Sequence, residues 1–299
     1  MPQKTFSRAA RDAVMGMRVQ QWLKNLLIFV PAATAHHILD AAVFRHVFLA
    51  FFSFSVCASA GYLVNDLLDA QSDRRHPAKR LRPFASGALS ARFGLTLASL
   101  LFLTAVGFGN LVSPRFVWFL CGYVVLTVAY SLALKQILVA DIFLLAFFYT
   151  FRILLGGEAA RVPVSFWLAA FSTFFFFSLA VMKRFIELRL MMKHEEAAAP
   201  ARRDYRAADL PMLGAWGAAA GCASVVVLAL YINSEEVMRL YRHPTYLWPV
   251  CLAVLFWLCR AWMLANRDEL PYDPIVFAVR DWHSYVIGAL VVAAFWLAV

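Results

Sequence analysis

Long runs of apolar side chains, each near the length of a bilayer crossing, constrain this chain more than any other feature. A spanning helix needs about 20 mainly apolar residues. Such runs centre on Leu26–Leu39, Val47–Val64, Gly94–Val112, Phe116–Leu134, Asp141–Gly157, Phe166–Met182, Leu213–Ile232, Tyr246–Cys259 and His283–Val299. Backbone groups in lipid must be satisfied within their own segment, so runs of this kind become helices. The sequence therefore predicts an all-α fold, a polytopic transmembrane helical bundle of nine transmembrane helices. Pro31, His36 and His37 make the first run the weakest. Trp22, Trp118, Trp167, Trp248 and Trp282 stand at run edges, where an interfacial belt is expected. With 63% hydrophobic and 15% charged residues, the 299-residue chain has too little polar surface for a soluble domain. The basic stretch before the first run is followed by no small-residue cleavage site, so that run reads as a retained span. Cys57, Cys121, Cys222, Cys251 and Cys259 lie inside apolar runs without paired spacing, as buried free thiols would.

Loop charge predicts the orientation. With the N-terminus placed in the cytoplasm, 22 of the 28 Lys and Arg fall on inside segments and five on outside loops. That asymmetry follows the positive-inside rule. It also accounts for the net charge of +10 without any nucleic-acid partner. Residues 1–20 read as a basic amphipathic cytoplasmic arm, and residues 21–299 as a single transmembrane domain. The inner (cytoplasmic) membrane is the expected location, with membrane lipids as neighbours.

One basic-side segment carries carboxylates at regular spacing. It reads Asn65-Asp66-Leu67-Leu68-Asp69-Ala70-Gln71-Ser72-Asp73. Offsets of three and four put Asp66, Asp69 and Asp73 on one helical face. Aligned carboxylates repel one another unless a cation lies among them. Hard oxygen ligands favour Mg²⁺, which takes part of its shell from substrate phosphates. Asn65 adds a neutral oxygen. A solvated helix end is the plainer alternative. The run Arg74-Arg75-His76-Pro77-Ala78-Lys79-Arg80-Leu81-Arg82 follows at once. Acid followed directly by base suits a metal-bound diphosphate, whose remaining charge Lys79 and Arg82 would neutralise. A basic run alone is more simply a positive-inside loop.

These residues resemble the UbiA superfamily of membrane prenyltransferases, whose hallmark is an Asn-Asp-x-x-Asp-x-x-x-Asp motif after the second span. Within it the chain looks most like the decaprenyl-phosphate phosphoribosyltransferase branch. The similar pieces are Gln21-Trp22-Leu23-Lys24-Asn25, Asn65 to Ser90, Tyr130-Ser131 to Lys135, and Asp141. They continue with Tyr149, Arg152 and Gly156, then Lys183-Arg184-Phe185-Ile186-Glu187-Leu188, and Asp273 to Asp281. The resemblance implies catalytic and metal-holding roles for Asn65, Asp66, Asp69 and Asp73. It implies substrate contacts from Lys24, Asn25, Lys79, Arg82, Lys135, Asp141, Tyr149, Arg152, Lys183, Arg184 and Glu187. The implied partners are a polyprenyl phosphate lipid and a phosphorylated sugar donor; a homo-oligomer is allowed. Where typical aromatic prenyltransferases carry a second aspartate-rich motif, this chain has Lys183 to Arg189, one carboxylate among three cations. That departure suits a donor with an additional phosphate, although Arg184 and Glu187 could equally form a simple ion pair.

Arg152 falls about eleven residues beyond Asp141, well inside the bilayer at about 1.5 Å per residue. An intramembrane Arg marks a ligand site unless Asp141 or Glu158 holds it structurally. Asp141 could cap its helix, and Lys24 and Lys135 could snorkel. Prenyl transfer to an aromatic acceptor is the rival within enzymes. A phosphorylated-lipid transporter is the rival outside them, but it would favour broken helices and midplane ion sites in both halves.

Overall fold

A computed structural model describes residues 11–75, 79–193, 205–271 and 273–299. Among them every regular element is helical. The α-helices are α1 (Val30–Thr34), α2 (Ala41–Asp73), α3 (Ala91–Asn110), α4 (Pro114–Leu132), α5 (Ala140–Ala160) and α6 (Phe166–Lys193). They continue with α7 (Leu210–Ile232), α8 (Glu235–Leu240), α9 (Trp248–Asn266), α10 (Pro274–Arg280) and α11 (Trp282–Ala298).

Seven of these helices are long and apolar enough to cross a membrane: α2 to α7 and α9. The pair α10–α11 bends by 82° and adds one crossing if taken as a single broken span. Among the described residues the candidate crossings thus number seven or eight where nine were expected, and the difference lies at both ends of the chain. The first apolar run does not form one long helix. Residues Val19–Phe29 are a 3₁₀ helix, followed by the five-residue α1. Pro31 sits in the first turn of α1, and the chain turns out of helix at His36, which has a left-handed φ of 60°. At the other end, α11 has 17 residues and is separated from α10 at Asp281. Asp281 caps α11 through Ser284 and takes the Arg260 guanidinium at 2.8 and 3.0 Å, which fixes the break.

The helix starts are written in the sequence. Asp40, Ser90 and Ser113 accept backbone N–H bonds at the starts of α2, α3 and α4. Each satisfies a donor that an uncapped helix end leaves orphaned.

By contact the chain divides into two units. The first comprises residues 1–141, 151–163 and 197–203, and the second residues 142–150, 164–196 and 204–299. In the first, α2 is the innermost helix, with 67% of its apolar window buried against 17% for α3. Gly156 of α5 meets the N-terminal 3₁₀ helix so closely that a Cβ would overlap the Ile28 carbonyl oxygen. Only glycine permits that approach. In the second unit, α6 and α7 pack along their length. There a Cβ on Gly217 would overlap the Trp262 ring, whose indole N–H donates to Ser178 Oγ at 3.1 Å. Phe175, one of the run Phe171 to Phe177, stacks on Phe171 and Trp257.

Candidate active site

The first unit builds its site on the last two turns of α2. This helix runs unbroken to Asp73, so the predicted face of Asp66, Asp69 and Asp73 exists. Asp66 and Asp73 are buried, and Asp69 is half-buried. Each carboxylate meets a cation from a different part of the chain. Arg18, from the N-terminal segment, places Nη2 at 2.5 Å from Asp66 Oδ1. Arg82, from the loop after α2, places Nη1 at 3.2 Å from Asp66 Oδ1 and 2.7 Å from Asp73 Oδ2. Lys135, between α4 and α5, places Nζ at 2.6 Å from Asp69 Oδ1. Asn65, beside them, accepts from Ser131 Oγ at 2.7 Å.

Local packing positions these cations. The loop after α2 turns back through Arg82 N–H to Lys79 C=O and Ser86 N–H to Arg82 C=O. Phe84 then inserts into a cluster with Ala60, Leu63, Leu89 and Ala98. A Cβ on Gly94 would overlap the Phe84 ring, so α3 admits it only through that glycine. With Phe84 anchored two residues on, Arg82 faces the carboxylates. Arg18 adopts a left-handed backbone, φ 50°, and its guanidinium lies 5.3 Å from the Tyr62 ring centre. Lys79 opens a short 3₁₀ turn, while His76, Pro77 and Ala78 lie outside the described residues.

Among the described residues no three His, Cys, Asp or Glu side chains stand close enough to hold a metal ion. The carboxylate cluster is thus a row of ion pairs and not a preformed cage. Its donor set still suits Mg²⁺. Two carboxylates converge on one cationic nitrogen of Arg82, where a divalent ion would supply the same attraction.

Deeper in the same unit lies a second polar group. Arg152 of α5 is buried, at 4% exposure, and its Nε donates to Asn25 Oδ1 at 2.8 Å. Asn25 Nδ2 donates in turn to Ser55 Oγ at 2.9 Å. The Arg152 guanidinium lies 5.2 Å from the Phe54 ring centre. Trp22 Nε1 donates to Ser59 Oγ, one turn further along α2. Glu158, a predicted structural partner of Arg152, accepts from Ser113 Oγ at 2.6 Å. Asp141 is fully buried in the first turn of α5, where the helix dipole favours its charge. Lys24, on the N-terminal 3₁₀ helix, is half-buried.

The second unit holds the remaining predicted residues. Lys183, Arg184 and Glu187 lie on α6 itself, which continues past the end of the apolar run at Met182 to Lys193. Arg184 pairs with Glu187 one turn later, both buried. Lys183 Nζ lies 3.7 Å from Asp273 Oδ2, and Asp273 caps α10. Tyr149 stacks on Phe176, 5.1 Å between ring centres. Arg18, Ser55, Ser59 and Ser131 were not singled out by sequence reasoning, although Ser131 lies within a matching piece. The side-chain partners of all four are 30 or more residues distant, which no short motif can register.

A polytopic membrane protein with a charged site at the end of its most buried helix is the class these features define. The chain belongs to the UbiA prenyltransferase family, whose model matches residues 26–282. An uncharacterised protein of Sinorhizobium fredii is 35% identical over 98% of this chain, which spans 57% of that protein. Nodulation protein NoeC of Azorhizobium caulinodans is 36% identical over 90% of this chain and 87% of its own length. Decaprenyl-phosphate phosphoribosyltransferase of Mycobacterium tuberculosis is 32% identical over 59% of this chain and 60% of the enzyme. Among solved structures, a UbiA homologue from Archaeoglobus fulgidus, bound to GPP and Mg²⁺, shares the fold with a TM-score of 0.72. It is 14% identical, and the match covers 95% of this chain and 99% of that one.

Proposed function

We propose that this chain transfers a 5-phosphoribosyl group from 5-phosphoribosyl 1-diphosphate to a polyprenyl phosphate, releasing diphosphate. The observation that carries the reading is the face of Asp66, Asp69 and Asp73, each matched by a cation. The partial similarity to the mycobacterial phosphoribosyltransferase supports the same donor. So does the second unit, where Glu187, the one carboxylate within Lys183 to Arg189, is taken up by Arg184 on its own helix.

In this reading Asn65, Asp66, Asp69 and Asp73 hold Mg²⁺. The ion when bound neutralises charge on the diphosphate leaving group. Lys79, Arg82 and Lys135 hold donor phosphates, and Lys183 and Arg184 contact a substrate phosphate. An oxygen of the lipid phosphate attacks C1 of the sugar, and the bond from C1 to the diphosphate oxygen breaks. That oxygen is already anionic, so no strong general base is needed. Cations placed where the leaving charge develops act on the transition state more than on the ground state. Arg152, held by Asn25, offers a planar guanidinium to an anionic group reaching into the bundle. Residues 21–299 work as one transmembrane domain with the site facing the cytoplasm, and residues 1–20 as a cytoplasmic arm. The test is a radiolabel assay on detergent-purified protein. The phosphoribosyl donor with polyprenyl phosphate should give labelled lipid. Turnover only with prenyl diphosphates and an aromatic acceptor would replace this reading with prenyl transfer.

A further inference from the structure

The cations that pair with the α2 carboxylates come from three separate places: the N-terminal segment, the loop after α2 and the link between α4 and α5. None is a helical neighbour of the carboxylate it meets. Their three positive charges match the three of Asp66, Asp69 and Asp73, so these six groups already offset one another. Balance makes a lone ligand unwelcome. A divalent cation entering alone would have to displace Arg18, Arg82 and Lys135 and leave them facing it. Diphosphate entering alone would meet the carboxylates.

We propose that Arg18, Arg82 and Lys135 are exchange partners: they hold the three carboxylates where metal would, and turn to the diphosphate when metal and diphosphate arrive together. This rests on the diphosphate-donor reading above and adds a role for Arg18, which no motif supplied. Two details fit a site built to rearrange. Arg18 has a φ of 50°, and Val139, four residues after Lys135, has a φ of 70°. A β-branched residue at positive φ is a genuine outlier. Such strain persists where the surroundings impose it, and it gathers at switching and ligand-holding segments. Arg82 already spans two carboxylates through one nitrogen, so its displacement releases Asp73 and leaves Asp66 to Arg18 alone. A divalent ion and diphosphate then carry opposite charges into the site, each relieving what the other leaves unpaired. The two must bind with strong mutual cooperativity.

The test titrates the detergent-purified full chain with Mn²⁺ and follows free Mn²⁺ by its paramagnetic resonance signal, without and with inorganic diphosphate. Wild type should bind Mn²⁺ weakly alone and about tenfold or more tightly with diphosphate. Arg18→Gln and Lys135→Gln should each bind Mn²⁺ alone about tenfold more tightly than wild type, because a competitor for the carboxylate is gone. Both should lose most of the diphosphate enhancement. Arg18→Lys keeps the charge and should stay near wild type for Mn²⁺ alone, which separates exchange from a general loosening of the fold. If the variants match wild type for Mn²⁺ alone while diphosphate still enhances, the exchange is overturned and the proposed reaction stands. If monodisperse wild type binds neither Mn²⁺ nor diphosphate, the proposed reaction falls, and the exchange with it.

Discussion

The two units each carry buried charges, but they assemble them in opposite ways. In the first unit, one helix supplies the carboxylates, and cations arrive from segments up to 66 residues distant in sequence. In the second, the most buried pair, Arg184 and Glu187, stands one turn apart on the same helix, while the more exposed Lys183–Asp273 and Arg189–Asp268 pairs are long-range. A local pair is fixed by the helix itself and needs no other element to hold it. A long-range pair depends on how loops and termini settle, so a ligand can separate it without unwinding anything. The charged cluster most useful for binding is therefore the one whose partners are remote. Identical residue types in the second unit can be an internal tie.

The largest effect should follow from removing the carboxylate that two cations share. Asp66→Asn keeps the side-chain volume but removes the charge held by Arg18 and Arg82. We expect turnover to fall by about a hundredfold or more, from lost stabilisation of the leaving charge. Membrane insertion should be unaffected, as judged by extraction and size-exclusion behaviour. Wild-type turnover in Asp66→Asn with Mg²⁺ present would erase the contrast between the units.

The second unit should answer differently. Glu187→Gln leaves a buried guanidinium short of its charge partner, a change that costs about 3–5 kcal/mol. The double substitution Arg184→Met with Glu187→Leu removes both charges and should melt near wild type, since apolar replacement of a buried pair is often neutral or better. If Arg184 also meets donor phosphate, the well-folded double variant should still lose roughly ten- to a hundredfold in donor binding. A double variant that melts normally and binds donor normally would make the pair purely structural.

How far the sequence could be read differs between the same two regions. The acidic face was legible because spacing of three and four needs only the sequence and the assumption of helix. Its binding partners were less so. Arg82 was visible through adjacency, whereas Arg18 reaches Asp66 across 48 residues and through a 3₁₀ segment with no periodic signature. The apolar run ends at Met182, so hydropathy alone stops the helix before Lys183 to Glu187. The helix continues because its charges find partners: Arg184 in Glu187, and Arg189 in Asp268 at 2.7 and 2.9 Å. The two ends of the chain depart from the expected spans for a related reason. Hydropathy measures the length of an apolar run and is blind to a break within it, such as the turn out of helix at His36 inside the first run.

Arg152 sharpens the comparison from inside the first unit. Its Nε is committed to Asn25, but its planar fork has further donors. Arg152→Lys keeps the charge and loses the fork. We expect a modest drop in melting temperature and roughly a tenfold loss in turnover. Asn25→Ala should reproduce part of that loss by freeing the guanidinium to reorient. A large fall in melting temperature, with unchanged turnover per folded molecule, would make Arg152 a packing residue.

The smallest predicted effect concerns Ser131, whose hydroxyl fixes the side chain of Asn65 at 2.7 Å. Asn65 is the one neutral oxygen beside three carboxylates. Without a donor on Oδ1, its amide can turn and present nitrogen where a metal needs oxygen. Ser131→Ala removes the contact to Asn65 together with the hydroxyl's contact to the Thr127 carbonyl; the loss at Asn65 is a net change of about 0.5–1.5 kcal/mol, which corresponds to a few-fold up to about tenfold. That loss should appear as weaker Mg²⁺ dependence, with the midpoint of the metal titration moving to higher concentration. Turnover at saturating Mg²⁺ should change little, because the carboxylates are untouched. Ser178 of the second unit is an internal control, since its hydroxyl donates to the Gly217 carbonyl and accepts from Trp262. Ser178→Ala should lower the melting temperature and leave the metal midpoint in place. If Ser131→Ala also shifts only the melting temperature, then Asn65 is no metal ligand. The metal-holding set then reduces to the three carboxylates that the first unit already pairs with its remote cations.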